Sequence, residues 1–360
     1  MKKNNFRFLI KSLLGLYFIG SFPLLAQEKK DYEISTIAFY NVENLFDTVD
    51  NPETFDDDRS ATGKDVWDER KYQLKIEYIS RVLSEIGTDV HPDPPTIIGL
   101  CEIENLQVLE DLVNHPNLKN YNYRIVHFDS PDERGIDVAL LYRLQNFTPL
   151  NIQKRKLLIY EKDDPSKRDY TRDQLVVTGL LNNEEISFIV NHWPSRGGGE
   201  AKSAYKREKA AYLNKRIIDS ILKVSPLAKI ISMGDFNDDP TNKSFKKVLG
   251  TIGEKSADSI ITLYNPMEKM LKNGKGSLAY RDSWNLFDQF FMTSTLVNQA
   301  GNGYQFYQAG IFNKPYLITQ NGQFRGYPFR TYGYAGYEGG YSDHFPVYMY
   351  LIRKAPSNSP

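Results

Sequence analysis

The chain has 360 residues, 41% of them hydrophobic and 25% charged, with 45 basic residues balanced by 45 acidic ones. Such a length supports a sizeable core in one domain or two, and the balance excludes an overall polycation that holds nucleic acid by phosphate neutralisation alone. A single cysteine, Cys101, excludes an internal disulfide, so stability must come from burial.

At the N-terminus, Lys2, Lys3, Arg7 and Lys11 precede and enter an apolar run from Leu13 to Leu25, interrupted by Gly20 and Pro23 and followed by Ala26 and polar residues. Basic, apolar and small-residue regions in that order predict a secretory signal peptide over 1–26. The alternative is a membrane anchor, but a span needs ~20 apolar residues and the run is shorter. Removing 1–26 takes away four basic and no acidic residues, leaving 41 basic against 45 acidic, net −4. A periplasmic or secreted protein is expected, with any nucleic-acid contact left to a local basic patch or a metal.

One α/β domain is predicted over 31–353. Glu33–Val42 reads as a strand with both faces mostly apolar, and Thr48–Asp65 as an acidic surface loop. Trp67–Ile86 carries apolar residues at helical spacing. Thr96–Glu102 is a second buried strand that ends on a carboxylate. A helix over Gln107–Val113 leads to strands at Tyr123–Phe128 and Ile136–Arg143. Leu175–Leu181 and Ile186–Val190 form a hairpin around Asn182-Asn183, and the second strand runs into Asn191-His192-Trp193-Pro194-Ser195-Arg196. Ala201–Val224 is a long helix with Lys202, Lys206, Arg207 and Lys209 in its first half; that basic face reads either as a solvated side or as a phosphate groove.

Ile230, Ile231 and Met233 form a short β-branched strand bounded by Gly234 and Pro240, and Asp235 and Asn237 stand at its mouth. Strand alternation turns Phe236 the other way, which leaves a carboxylate and a carboxamide facing one site. A short helix is expected near Ser244–Leu249. Ser283–Thr293 reads as one strand with Asp288 in its middle, where an unpaired carboxylate is costly and calls for a cation or an imidazole. Gly326–Tyr341 is irregular, and Val347–Ile352 closes the sheet just after Ser342-Asp343-His344. His91, His115 and His127 have no such neighbours and read as structural.

Strand ends or the turns beside them thus supply Asn41, Glu102, Asp137, His192, Asp235, Asn237, Asp288, Asp343 and His344. With Gly-Asp-Phe-Asn at 234–237 and Ser-Asp-His at 342–344, supported by Tyr40-Asn41 and Leu100-Cys101-Glu102, the mature chain resembles the endonuclease/exonuclease/phosphatase superfamily. That superfamily includes DNase I-like nucleases, neutral sphingomyelinases and inositol-polyphosphate 5-phosphatases. The resemblance implies a four-layered α/β sandwich of two mixed β-sheets flanked by helices, with the site at one edge. It further implies a Mg²⁺ or Mn²⁺ site at Glu102, Asn41 and Asp343. Asp235 would act on the attacking water, Asn237 on a phosphoryl oxygen, and His344, oriented by Asp288, on the scissile phosphate. His192 would serve the leaving side, with Asp137 as its orienting partner. Asn191 and Arg196 are candidate substrate contacts, and Cys101, beside Glu102, should face the core. The expected activity is an exported, metal-dependent endonuclease acting on DNA or RNA, with a phospholipid or inositol-phosphate phosphoesterase as the alternative. A phosphorylated lipid or small molecule is the alternative partner, no stable membrane insertion is expected after signal cleavage, and the chain is expected to be a monomer. Physically, a metal and a base near neutral pH address the two obstacles to attack on an anionic phosphoester, its charge and its poor nucleophile.

Overall fold

The computed structural model describes residues 32–254, 263–298, 303–334 and 336–355. The expected signal peptide, 1–26, lies outside the described residues, and among those described no helix is long and apolar enough to cross a membrane.

Twelve strands build two six-stranded mixed sheets. The first contains β1 (Tyr32–Leu45), β2 (Ile97–Ile103), β3 (Tyr123–His127), β4 (Asp137–Arg143), β11 (Gln305–Ile311) and β12 (Val347–Lys354), in the order β11-β12-β1-β2-β4-β3. The second contains β5 (Phe147–Arg155), β6 (Gln174–Leu181), β7 (Glu184–His192), β8 (Lys229–Asp235), β9 (Leu263–Tyr264) and β10 (Asp288–Thr293), in the order β9-β10-β8-β7-β6-β5. Each sheet has one parallel pair at its centre, β1 with β2 and β7 with β8, and antiparallel neighbours on both sides.

Alternation along the central strands decides the layering. Phe39, Leu140, Phe188, Val190, Ile231 and Met233 point between the sheets and form one core. Ala38, Tyr40, Ile98 and Leu100 point outward and are covered by helices α1 (Glu69–Glu85) and α2 (Leu106–Asn114). Ile189, Ile230 and Phe291 point outward from the second sheet beneath α3 (Glu200–Val224). The four-layered sandwich expected from the sequence is therefore the observed fold. Both faces of each central strand are buried, which is why these segments read as continuous apolar runs.

Two elements differ from expectation. Ser283–Thr293 is not one strand: Ser283–Asn285 pairs in a hairpin with Leu278–Tyr280, and Asp288 opens β10. The break occurs because Leu286 and Phe287 turn toward the β8 loop, where Leu286 N–H donates to Asp239 (2.7 Å) and Phe236 N–H to the Phe287 carbonyl (2.9 Å). Ser244–Leu249 is a single π-helical turn. β5 and β11 lack a strand signal because most of their positions are exposed or half-buried.

Candidate active site

The parallel strands β1, β2, β7 and β8 bring their C-terminal ends to one edge of the sandwich, and the antiparallel β10 and β12 begin there. Register therefore does the gathering: Asp235 stands opposite both His192 and Asp288 across its two ladders. Gly234 is required beside it, since a Cβ there would lie 2.4 Å from the Asn191 carbonyl oxygen.

Glu102 reaches the edge through a bulge. Asn41 pairs with Cys101 and Leu45 with Ile103, so three residues of β1 oppose Glu102 alone. Glu43, Asn44 and Glu102 adopt left-handed backbone with φ of 51°, 54° and 62°, a strained geometry that re-aims a side chain. Asn44 N–H donates to Glu102 Oε2 (3.0 Å), and Asn41 Nδ2 donates to Asp235 Oδ2 (3.0 Å) and Glu102 Oε1 (3.4 Å). Cys101 faces the inter-sheet core, as expected. Its sulfur lies within 4.8 Å of ligand atoms of His192 and Asp235. Burial pushes its thiol well above the ordinary range.

Asp235 is the hub. Its Oδ2 lies 3.7 Å from His192 Nε2 and 3.9 Å from His344 Nε2, and its Oδ1 accepts the Asn237 N–H (2.9 Å). Burial, reinforced by Asp288 and Glu102 against the pull of His344 and the Asn237 amide, raises its carboxyl from the ordinary 3.8 to about 6. The two imidazoles have opposite characters. His344 is buried, which opposes its charge, but Asp288, Asp235 and Asp343 hold it well above its ordinary range as an imidazolium; Nδ1 donates to Asp288 Oδ2 at 2.6 Å. His192 is driven well below its ordinary range by burial, then by Arg172, Arg134 and His344, and is neutral.

Asn41, Glu102, His192, Asp235, Asn237, Asp288, Asp343 and His344 thus lie together at this edge, whereas three other expected contacts do not serve it. Asp137 orients His127, not His192. Its Oδ2 is 3.0 Å from His127 Nε2 and its Oδ1 accepts the Ser130 N–H. His127 pairs with Ala139 across the ladder, so Asp137 is its diagonal neighbour on the same face, while His192 belongs to the other sheet. His127 accordingly has the carboxylate partner that the sequence did not reveal. Asn191 is fully buried; its carboxamide binds Ser232, Met233, Trp193 and Asn214 and ties β7 to β8 and α3. Arg196 spends its guanidinium on the Asn237 carbonyl, Glu200 and Asn242 and lies 4.4 Å over the Phe287 ring, so it supports the Asn237 loop. Asn237 itself has φ of 51° and donates from Nδ2 to the Trp193 carbonyl (3.0 Å), which leaves its second amide hydrogen free to bind an oxygen.

Other residues at the mouth carry weak sequence signals. Lys75 sits on the apolar stripe of α1 among Tyr72, Ile76 and Ile79, and a lysine on a buried face is a visible anomaly. Its Nζ donates to Thr331 Oγ1 and the Tyr341 carbonyl, fastening the 326–341 loop to α1. Burial lowers its pKa to about 8 against the pull of Glu43, Asp343 and Glu102. Burial and Asp343 raise Glu43 to about 7. Arg330 holds Asp343 Oδ2 at 3.0 Å.

Glu102, Asp235, Asp288 and Asp343 make the mouth rich in carboxylates, and a hard divalent cation suits that donor set. Among the described residues three groups bring possible ligand atoms within 4.8 Å of one another: Asp235–Asp288–His344 and Cys101–His192–Asp235 at this edge, and His127–Asp129–Asp137 around the other histidine. Glu102, Asn41 and Asp343, the residues that the resemblance assigns to a metal, belong to none of these groups, though Glu102 and Asp343 bring carboxylates to the same edge.

The family model described as Endonuclease/Exonuclease/phosphatase family matches residues 36–353. The chain belongs to that family. Its fold is shared with solved members and relatives at low identity. A humanised zebrafish (D. rerio) TDP2 is 13% identical with a TM-score of 0.52, covering 88% of this chain and 98% of that one. An endonuclease/exonuclease/phosphatase family protein from Bacteroides thetaiotaomicron is 19% identical with a TM-score of 0.52, covering 90% and 96%. A mannosyl-6-phosphatase from the same organism is 18% identical with a TM-score of 0.52, covering 88% and 99%. No curated protein matches the chain in sequence. The family assignment gives the chain a phosphoesterase fold.

Proposed function

We propose that the chain is an exported Mg²⁺- or Mn²⁺-dependent phosphodiesterase that hydrolyses nucleic acid. The observation that carries this reading is Asp235, a buried carboxylate raised to about 6, within 4 Å of one charged and one neutral imidazole and joined through the Asn41 amide to Glu102. A bound divalent cation would neutralise phosphate charge and polarise the phosphoryl group. Asp235 accepts the proton of the attacking water. The imidazolium of His344, fixed by Asp288, donates from Nε2 to a phosphoryl oxygen, and the free hydrogen of Asn237 Nδ2 holds another. His192 is neutral, so the proton that reaches the departing oxygen is the one Asp235 takes from the water, passed on through His192 Nε2 3.7 Å away. The N-terminal residues 1–26 support export.

A second reading, a phosphorylated small molecule or phospholipid headgroup as substrate, is favoured by the fate of the basic face of α3. Lys206 pairs with Asp169 and Glu161, and Arg207 is buried against Asp238, so neither offers a phosphate track. The deciding experiment offers the mature chain with Mg²⁺ oligonucleotides, inositol phosphates, sugar 6-phosphates and sphingomyelin. Cleavage of oligonucleotides that is lost in Asp235→Ala and His344→Ala is expected. Turnover surviving both substitutions would refute the assigned chemistry, and hydrolysis confined to the other substrates would favour the second reading.

A further inference from the structure

Asp343 and Arg330 line a second feature besides the candidate active site, a groove of about 360 Å³ between the 278–285 hairpin and the 319–338 loop. Three aromatic rings on its walls are exposed, Tyr334 fully, Tyr280 at 62% with Arg281 5.2 Å from its ring centre, and Phe324 at 41%. Exposed aromatic rings gathered on the walls of one groove form a contiguous patch of the kind a ligand covers. The walls are also held in place. Tyr280 sits at the tip of a tight turn whose next two residues, Arg281 and Asp282, have φ of 50° and 59°, a conformation that usually asks for asparagine or glycine. Tyr327 clamps that turn: its hydroxyl accepts the Asp282 N–H and donates to Asp282 Oδ1, both at 2.7 Å, and its ring meets those of Phe324 and Trp284. Strained backbone kept rigid at the rim of a site is a positioning device.

The chemistry of the lining selects the occupant. Arg281 and Arg330 are set against Asp282, Glu338 and Asp343, so the groove is no track for a run of phosphates. An acyl chain would cover Thr319, Gln323 and Arg281 without satisfying them. A flat, polar-edged, uncharged ring satisfies both conditions: its faces meet Tyr280 and Phe324, and its edge meets Thr319 and Gln323. Arg330, bonded to Asp343, joins the groove directly to the oxygen donors at the mouth.

We propose that this groove holds the unpaired nucleobase of the nucleotide whose phosphate is cleaved, so that short single strands and frayed ends are the preferred substrate. This rests on the nuclease reading above. Stacking of one base on an aromatic side chain changes affinity by about tenfold or more.

The test pairs a single-stranded trinucleotide with its abasic counterpart, each cleaved by the full mature chain, and follows binding of 2-aminopurine mononucleotide by fluorescence quenching. The wild-type chain is expected to show a KM about tenfold lower for the base-bearing substrate. Tyr280→Ala with Phe324→Ala should abolish that advantage and the quenching while the melting temperature holds, and Tyr280→Trp should retain both. Equal KM for the two substrates, or a double variant that keeps the preference, would overturn the groove assignment while leaving the nuclease reading intact. Quenching lost in the double variant, with no nucleic acid cleaved but another phosphoester hydrolysed, would uphold the groove and reject the nuclease reading. Duplex cleaved as readily as single strand would overturn the strand preference.

Discussion

Asp235 illustrates how a reactive group is set against stability. Its folded pKa of about 6 lies above its ordinary 3.8 because burial penalises the charged form. The folded state therefore binds this proton more readily than the unfolded chain. Its contribution is fully present below about pH 4 and is lost as pH rises to about 6, after which the ionised site weighs on the fold by roughly 3 kcal/mol. Asp235→Asn is expected to raise the melting temperature of the metal-free protein by a few degrees at pH 7–8 and to leave it little changed at pH 4. The same substitution should lower kcat by about 10²–10⁴-fold, the usual worth of a general base. Thermal melts across pH beside rate measurements check both, and a melting temperature that falls at pH 8 would contradict the account. In the wild-type chain the rising limb of activity belongs at or below about pH 6, since a nearby cation can only draw Asp235 lower. Asp288→Asn removes the negative partner that keeps His344 protonated, so the alkaline limb should move to lower pH, visible in a kcat–pH profile.

At the scale of elements, the site depends on bends that break regular pairing and on the supports behind them. Arg207, fully buried on α3, donates to Asp238 Oδ1 at 2.6 Å and to the Ser195 carbonyl, joining the helix to the loops that carry Asn237 and Arg196. Arg207→Ala leaves Asp238 buried beside Ser244 without its cation and is expected to cost about 3–5 kcal/mol, measured by urea unfolding. A loss under 1 kcal/mol would show that water reaches Asp238. The central strands were legible because both of their faces are apolar. The split before Asp288 was not, because the apolar Leu286 and Phe287 that cross between layers look like strand residues. Nor was the bulge at Glu43, Asn44 and Glu102, because only Asn44 of the three is a residue type that favours left-handed backbone.

For the whole molecule, the excess of carboxylates at one edge couples cation binding to stability. Adding Mg²⁺ or Mn²⁺ at one hundred times its dissociation constant should stabilise the fold by about 2.7 kcal/mol, and chelation should reverse this. Glu102→Ala with Asp343→Ala should abolish the shift in a thermal melt; a full shift in that variant would move the metal elsewhere. Arg196 and Asn191 stand next to His192 in the chain yet turn to structural work, because the fold offers each a complete set of protein partners.

The amino-acid sequence alone settled the strand-rich α/β class and the segments whose ends carry Asn41, Glu102, His192, Asp235, Asp288 and His344. Burial of alternating apolar faces is a local property, written in residue order. Which histidine Asp137 serves, how near Cys101 comes to Asp235 and which arginine reaches the mouth were decided only by the tertiary structure. Those facts follow from strand register, from two sheets meeting face to face, and from competition among acceptors distant in the chain.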